Sequence, residues 1–323
     1  MRPNRMSGTG LPSSNIRSDG SGGAARVKTT PAVIAAQIRR ALKEGGSAEH
    51  AQSVQRSCPE EVKSHGWYTA DLRRAAARFR RQIQKDHGLD FLLAVADQLF
   101  LGSVLEEKIA AIFLLEKLDA QFGGSEYKLF ESWLGRISSW ADHDALVHYC
   151  IAPMVARKPA RLKTVFRWAK SADRWHRRAA CVALIRGARE KVFFREIIKL
   201  ADLLLAEQDD MVQKGLGWLL RETANYDAKR TVAYLMKIRR RASRLVLRTA
   251  YETLPATARK QRAVLQAIFP RKPGSSTPSS DSLNSLSLFT IVVCPWTSPP
   301  FKLRYANVTS TPGSFTTIII AIP

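Results

Sequence analysis

The stretch Asp90-Phe91-Leu92-Leu93-Ala94-Val95-Ala96-Asp97-Gln98-Leu99-Phe100 decides how the chain is read. Phe91, Leu92, Val95 and Leu99 recur at three- and four-residue spacings, which gathers them on one face of an α-helix and scatters them over both faces of a strand. Ile109, Ile112 and Phe113 repeat the pattern further on. Between Pro31 and Pro270 there is no run of alternating β-branched residues, so strands are not expected there. Breaks fall at Gly45-Gly46, Gly88, Gly123-Gly124, Lys158-Pro159 and Asp209-Asp210. About a dozen helices at roughly 40 residues per pair make about six pairs, the spacing of HEAT-type repeats. The expected fold class is all-α: a curved α-solenoid of about six HEAT-like antiparallel helix pairs. Periodicity alone leaves a compact helical bundle as the alternative, and charge placement favours the solenoid.

Composition bounds the remainder. The chain has 323 residues, 45% of them hydrophobic, which is ample for a buried core. Charged residues at 24% and aromatics at 8% exclude wholesale disorder. No apolar run reaches the roughly 20 residues of a membrane helix, and Phe289–Cys294 and Ile318–Ile322 fall far short. Arg2 and Arg5 are followed by no apolar segment, so the N-terminus does not read as a signal peptide. Cys58, Cys150, Cys181 and Cys294 form no C-x-x-C, and His143 and His148 are five apart rather than four. A reduced, intracellular protein with no metal and no cofactor is the expectation.

Three segments emerge. Residues 1–30 read as a flexible basic arm, 31–270 as the helical domain, and 271–323 as an irregular tail, 24 of whose 53 residues are Ser, Thr or Pro. The net charge is +23. The arm holds five basic residues against one acidic, and the tail four against one. That leaves 42 against 26 in the helical segment, a net +16. A cationic folded body implies a polyanionic partner, nucleic acid before an acidic membrane surface. The basic residues cluster in Arg73-Arg74 with Arg78 to Arg81, in Arg161–Arg178 and in Lys237–Arg248. Each alone would read as a solvated helix face; three on stacked pairs suggest one groove that tracks a phosphate backbone.

Chemistry concentrates in three blocks. In Ser138-Ser-Trp-Ala-Asp-His-Asp144, Trp140 and Asp144 stand at i and i+4 and share a helix face, while Asp142 is placed to cap the helix start. In Asp173-Arg-Trp-His-Arg-Arg-Ala-Ala180, Trp175 and Arg178 lie one turn apart. In Met211-Val-Gln-Lys-Gly-Leu-Gly-Trp-Leu-Leu-Arg-Glu222, Lys214, Trp218 and Arg221 form one stripe. Gly215 and Gly217 each cost that helix about 1 kcal/mol relative to Ala, a cost tolerable where another backbone comes close. A tryptophan at helical spacing is usually core. Tryptophans interleaved with arginines on successive helices look like an aromatic and cationic floor for a nucleic-acid strand.

Together the blocks resemble the HEAT-like DNA alkylation repair family, the AlkD-type alkylpurine DNA glycosylases. The resemblance runs through Trp140-x-x-x-Asp144, Trp175-x-x-Arg178-Ala-Ala and Gln213-Lys-x-x-Gly-Trp218-x-x-Arg-Glu222. Upstream, Gly66-Trp-Tyr-Thr-Ala-Asp-Leu-Arg73 looks like the family's G-x-x-T-P-x-x-R helix start, with Ala70 in place of the proline. The likeness covers about residues 60–255. It implies excision of cationic N3- and N7-alkylpurines such as 3-methyladenine and 7-methylguanine from duplex DNA. Asp144 would be the catalytic carboxylate, and Trp140 and Trp218 would flank the deoxyribose. Arg178 and Arg221 would meet the DNA backbone, with Lys214, Trp175, Arg174, Arg177, Thr69 and Arg73 as further DNA contacts. A monomer without an obligate protein partner, cytoplasmic and nucleoid-associated in a bacterium or otherwise intracellular, is the expected setting. Other readings are a non-catalytic HEAT-like binder of structured or damaged DNA and a protein–protein scaffold. The scaffold accounts for neither the charge nor the Trp140–Asp144 spacing.

Overall fold

The computed structural model describes residues 29–58, 62–252, 254, 303–306 and 318–321. Among them are fourteen α-helices. The first seven are α1 (Pro31–Glu44), α2 (Ala48–Ser57), α3 (Thr69–Phe100), α4 (Leu105–Leu114), α5 (Gly124–Trp133), α6 (Trp140–Leu146) and α7 (Ala152–Arg157). The rest are α8 (Leu162–Trp168), α9 (Arg174–Val182), α10 (Ile185–Arg189), α11 (Phe194–Leu203), α12 (Asp210–Tyr226), α13 (Ala228–Ile238) and α14 (Arg244–Tyr251).

The expected breaks are where helices stop or start. Gly45 ends α1, Gly123 precedes α5, and Lys158-Pro159 ends α7. Gly88 takes φ 81° and kinks α3, a conformation open to glycine and strained for other residues. Side-chain caps fix the starts: Thr30 for α1, Asp173 for α9, Asp209 for α12, Asp227 for α13 and Ser243 for α14. Each cap satisfies a helix-end N–H that would otherwise be orphaned, worth about 1 kcal/mol.

The stacking of successive helices selects the solenoid over the bundle. α4 packs on α6, α6 on α9, α9 on α12 and α12 on α14, while α1 and α3 lead into the row through α4. Each element meets its neighbours in order, as a repeat array requires. The core follows the predicted faces, with Leu92, Val95, Leu99, Ile109, Ile112 and Phe113 all buried. Burying each stabilises the fold by about 1.5–3 kcal/mol.

Polar ties also link one repeat to the next. Arg136 reaches Asp97, Arg157 reaches Asp119, Arg189 reaches Glu222 and Arg221 reaches Glu252, across separations of 39, 38, 33 and 31 residues. The repeat period, weak in the apolar pattern, is written in these pairs.

In the C-terminal unit, residues 277–323, the described residues are two short strands. Strands β1 (Leu303–Ala306) and β2 (Ile318–Ala321) pair antiparallel, Leu303 opposite Ala321 and Ala306 opposite Ile318. The β-branched run Ile318-Ile-Ile320 favours extended backbone. The Thr290-Ile-Val-Val fragment, the basic arm up to residue 28 and the stretch 255–270 lie outside the described residues.

Candidate active site

The site is set at the start of α6. Ser139 caps the helix, and Asp142 reciprocates by accepting from the backbone N–H groups of Ser138 at 2.9 Å and Ser139 at 2.7 Å. This capping box makes Trp140 the first helical residue and puts Asp144 one turn on. Lys108, buried on α4, stands 3.3 Å from Asp142 and donates to Ser138 Oγ and to the Arg136 carbonyl, pinning the approach to the helix. Asp142 is therefore the cap that its position suggests.

α6 continues into α7 through a π-helical turn at Val147–Ile151. The cause is Pro153, which has no N–H to offer the Tyr149 carbonyl and whose ring crowds it. Widening by one residue relieves the clash and swings His148 and Tyr149 relative to a regular helix. Trp140, Asp144 and His148 thus occupy consecutive turns of one element.

Asp144 does not stand open at the surface. It is 2% exposed, and its partners are all cations or potential cations. Arg178, from α9, donates through Nε to Oδ1 at 2.9 Å and through Nη2 to Oδ2 at 2.6 Å. His143 Nδ1 lies 2.8 Å from Oδ1, and His143 Nε2 lies 2.9 Å from the Trp175 carbonyl. Both ring nitrogens of His143 face acceptor oxygens. Burial raises the Asp144 pKa, but the Arg178 charge and the hydrogen bonds from His143 and Arg178 outweigh it and hold the pKa at about 2. The carboxylate is ionised at any physiological pH and keeps lone-pair capacity on Oδ2.

The family resemblance puts Arg178 on the DNA backbone, and the structure gives it another position. It is 6% exposed, and besides Asp144 it donates through Nη1 to the Met211 carbonyl at the start of α12. One guanidinium thereby joins α6, α9 and α12. Gly215 makes room for it: a Cβ there would lie 3.2 Å from Arg178 Cγ. Gly217 faces α14, where a Cβ would meet Thr249 Cβ at 2.6 Å and the Val246 carbonyl oxygen at 3.1 Å. The two glycines of α12 thus serve close approach, one to a side chain and one to a helix.

The tryptophans differ in exposure. Trp140 and Trp175 are half-buried, while Trp218 is 7% exposed. Trp218 donates its indole N–H to Glu222 Oε1 at 3.1 Å, and Arg189 Nε donates to Glu222 Oε2 at 3.0 Å. The His148 ring lies nearly parallel to the Trp218 indole, centroids 6.5 Å apart, and so connects α12 to the helix that carries Asp144. Burial, aided by Arg189, depresses the His148 pKa to about 4 against the opposing charges of Asp144 and Glu222. Its ring is neutral near pH 7. Arg174 lies over the Trp175 ring at 4.7 Å and 3.7 Å from Asp209.

Most of the expected DNA contacts are engaged within the fold. Arg177 pairs with Glu207 at 2.6 Å and donates to the Ser171 and Ala172 carbonyls. Arg73 pairs with Glu116 at 3.1 Å, donates to Tyr149 Oη at 2.7 Å and covers the Phe113 ring. Arg221 pairs with Glu252 at 2.6 Å. Thr69 is half-buried at the first position of α3, and Lys214 is exposed. The first two basic clusters therefore do two jobs, with part of each tied to acids elsewhere in the fold. Lys163, Lys170, Lys214, Arg240, Arg241, Arg244 and Arg248 remain exposed. His143, His148 and Glu222 have no role in the sequence reading, although each stands one or four positions from a residue that does.

Among the described residues no three His, Cys, Asp or Glu side chains gather as a metal site would need, and no helix is long and apolar enough to cross a membrane. Two depressions lie elsewhere. One, of about 50 Å³, is floored by Phe194 and Tyr226; the other, open and of about 590 Å³, is lined by Arg39, Arg40, Lys43 and His65.

The family profile described as DNA alkylation repair enzyme matches residues 38–254. A solved structure of a predicted DNA alkylation repair enzyme from Enterococcus faecalis superposes with a TM-score of 0.58 at 17% identity. That likeness covers 65% of this chain and 96% of the other, and it bears on the fold. No curated protein matches the chain.

Proposed function

The chain belongs to the DNA alkylation repair enzyme family, and we propose that it is a DNA glycosylase that hydrolyses the N-glycosidic bond of cationic N3- and N7-alkylated purines in duplex DNA. The observation that carries this reading is a carboxylate, Asp144, held ionised by Arg178 and His143 on the helix that also presents Trp140. A purine alkylated at N3 or N7 is already positively charged and leaves readily. Its departure builds oxocarbenium-like charge on the sugar, as in other glycoside cleavage. A fixed carboxylate stabilises that charge and orients a water, an effect worth about 3–4 kcal/mol when preorganised. The indole faces of Trp140 and Trp218 attract the cationic base or sugar by about 0.5–2 kcal/mol each. Exposed Lys214 and Arg248 on the α12–α14 side supply charge for duplex DNA.

A second reading, a HEAT-like DNA-binding protein without chemistry, is favoured by one observation: Asp144 is nearly inaccessible and paired as a structural ion pair. One experiment separates the two. Base release from methylated duplex DNA is followed by chromatography for wild type and Asp144→Asn, with folding checked by circular dichroism and binding by anisotropy. The glycosylase reading expects 7-methylguanine release by wild type alone and similar DNA affinity for both. Release that persists in the folded variant removes Asp144 from catalysis, and no release by wild type leaves the binding protein.

A further inference from the structure

Trp218 sits on α12 between two residues that the assigned chemistry does not use. Its indole edge is held by Glu222, one turn further along the same helix, through the 3.1 Å Nε1–H···Oε1 bond. One indole face is met by His148 from the π-helical turn. Glu222 is itself buried and is anchored across the repeat boundary by Arg189, Nε to Oε2 at 3.0 Å. The carboxylate thus has one oxygen for the arginine and one for the indole.

Such an arrangement has a geometric consequence. The χ2 torsion of an indole has two broad wells, and only the observed one sends Nε1 toward Glu222. Trp218 is 7% exposed, and its Nε1–H has Glu222 as its acceptor, so this bond selects between the two wells. We propose that Glu222, held by Arg189, is a positioning residue that fixes the rotation of the Trp218 indole at the site of base excision. The inference rests on the glycosylase reading of the same site and adds a residue to it. Glu222 touches no reacting atom and acts through Trp218, where a misplacement of about 1 Å lowers a rate as much as a hundredfold.

The test compares Glu222→Ala and Glu222→Gln with wild type in single-turnover base release, alongside DNA affinity and melting temperature, below the melting range of all proteins. Glu222→Ala is expected to slow release by about ten- to hundredfold with affinity changed less than about twofold. Glu222→Gln keeps one oxygen to accept the indole N–H but turns its NH2 toward Arg189, so it recovers the rate in part. In a Trp218→Phe background, which has no N–H to hold, Glu222→Ala should have no further effect on the rate. The indole N–H resonance of Trp218 should also move in Glu222→Ala and stay near its place in Glu222→Gln. A lowered melting temperature with an unchanged rate per folded molecule overturns the proposal, as does an undiminished effect of Glu222→Ala in the Trp218→Phe background. A wild type that releases no base overturns the glycosylase reading and this proposal with it; an active wild type matched by Glu222→Ala overturns this proposal alone.

Discussion

Arg178 and Asp144 meet across two helices as a two-point pair, Nε to Oδ1 at 2.9 Å and Nη2 to Oδ2 at 2.6 Å, with both residues buried. The planar fork of the guanidinium matches the two carboxylate oxygens, a fit that a lysine ammonium cannot copy. Removing one partner of a buried pair leaves the other charge unpaired, at a cost of about 3–5 kcal/mol. Arg178→Met should therefore lower stability by that amount, and Arg178→Lys by less, since the charge survives but one hydrogen bond is lost. Urea denaturation of the two variants measures the difference; equal losses would mean that the retained charge contributes nothing without the fork geometry.

The same pair gives the fold a pH dependence. The Asp144 pKa is depressed to about 2 from an ordinary 3.8. A depressed acid contributes stability that is fully present above the ordinary value and disappears as pH falls through the folded one. The window is therefore about pH 4 to 2, and the contribution is about 2 kcal/mol. Melting curves of wild type and Asp144→Asn should converge as pH falls through this range. Parallel curves would show that the carboxylate titrates alike in folded and unfolded chains.

The two glycines of α12 should respond differently to alanine. In an exposed helix each exchange would gain about 1 kcal/mol. At Gly217 the added methyl would meet α14, including the Val246 carbonyl, so Gly217→Ala should destabilise by about 1–3 kcal/mol. At Gly215 the neighbour is the Arg178 side chain at 3.2 Å, which can shift slightly, so the change in stability should be smaller. Thermal melts of both variants decide the order.

Cations that knit repeats can be told from cations that meet DNA by salt. Neutralising about five phosphates would give a slope of log affinity against log salt near −4 to −5. Lys214→Ala should make that slope shallower by about 1 and leave the melting temperature unchanged. Arg177→Ala, which breaks the pair with Glu207, should lower the melting temperature and leave the slope alone. The opposite pattern would exchange their assignments.

The helical reading was legible because it depends on local spacing. Leu92, Val95 and Leu99 mark a buried face whatever lies against it, and Gly45, Gly88 and Asp209 interrupt helices for local backbone reasons. The pairing of Trp140 with Asp144 on one helix was legible for the same cause. What an arginine does depends on what stands a repeat away, and that needs the stacking register. Arg178 finds Asp144 34 residues back, and Arg177 finds Glu207 30 residues ahead. Read singly, both look like ligands for phosphate. An acid roughly one repeat from each arginine was the available clue. The π-helical turn also had a signal, Pro153 within an otherwise helical run, and its effect on His148 follows from the missing N–H.

Because the guanidinium of Arg178 also grasps the Met211 carbonyl, one side chain serves as rivet for three consecutive layers and as tether for the proposed working acid. Selection on folding alone would preserve the aspartate and its arginine in descendants that had abandoned chemistry. Finding the two together in a sequence therefore testifies first to an intact architecture, and enzymatic competence must be read from the aromatic residues around them.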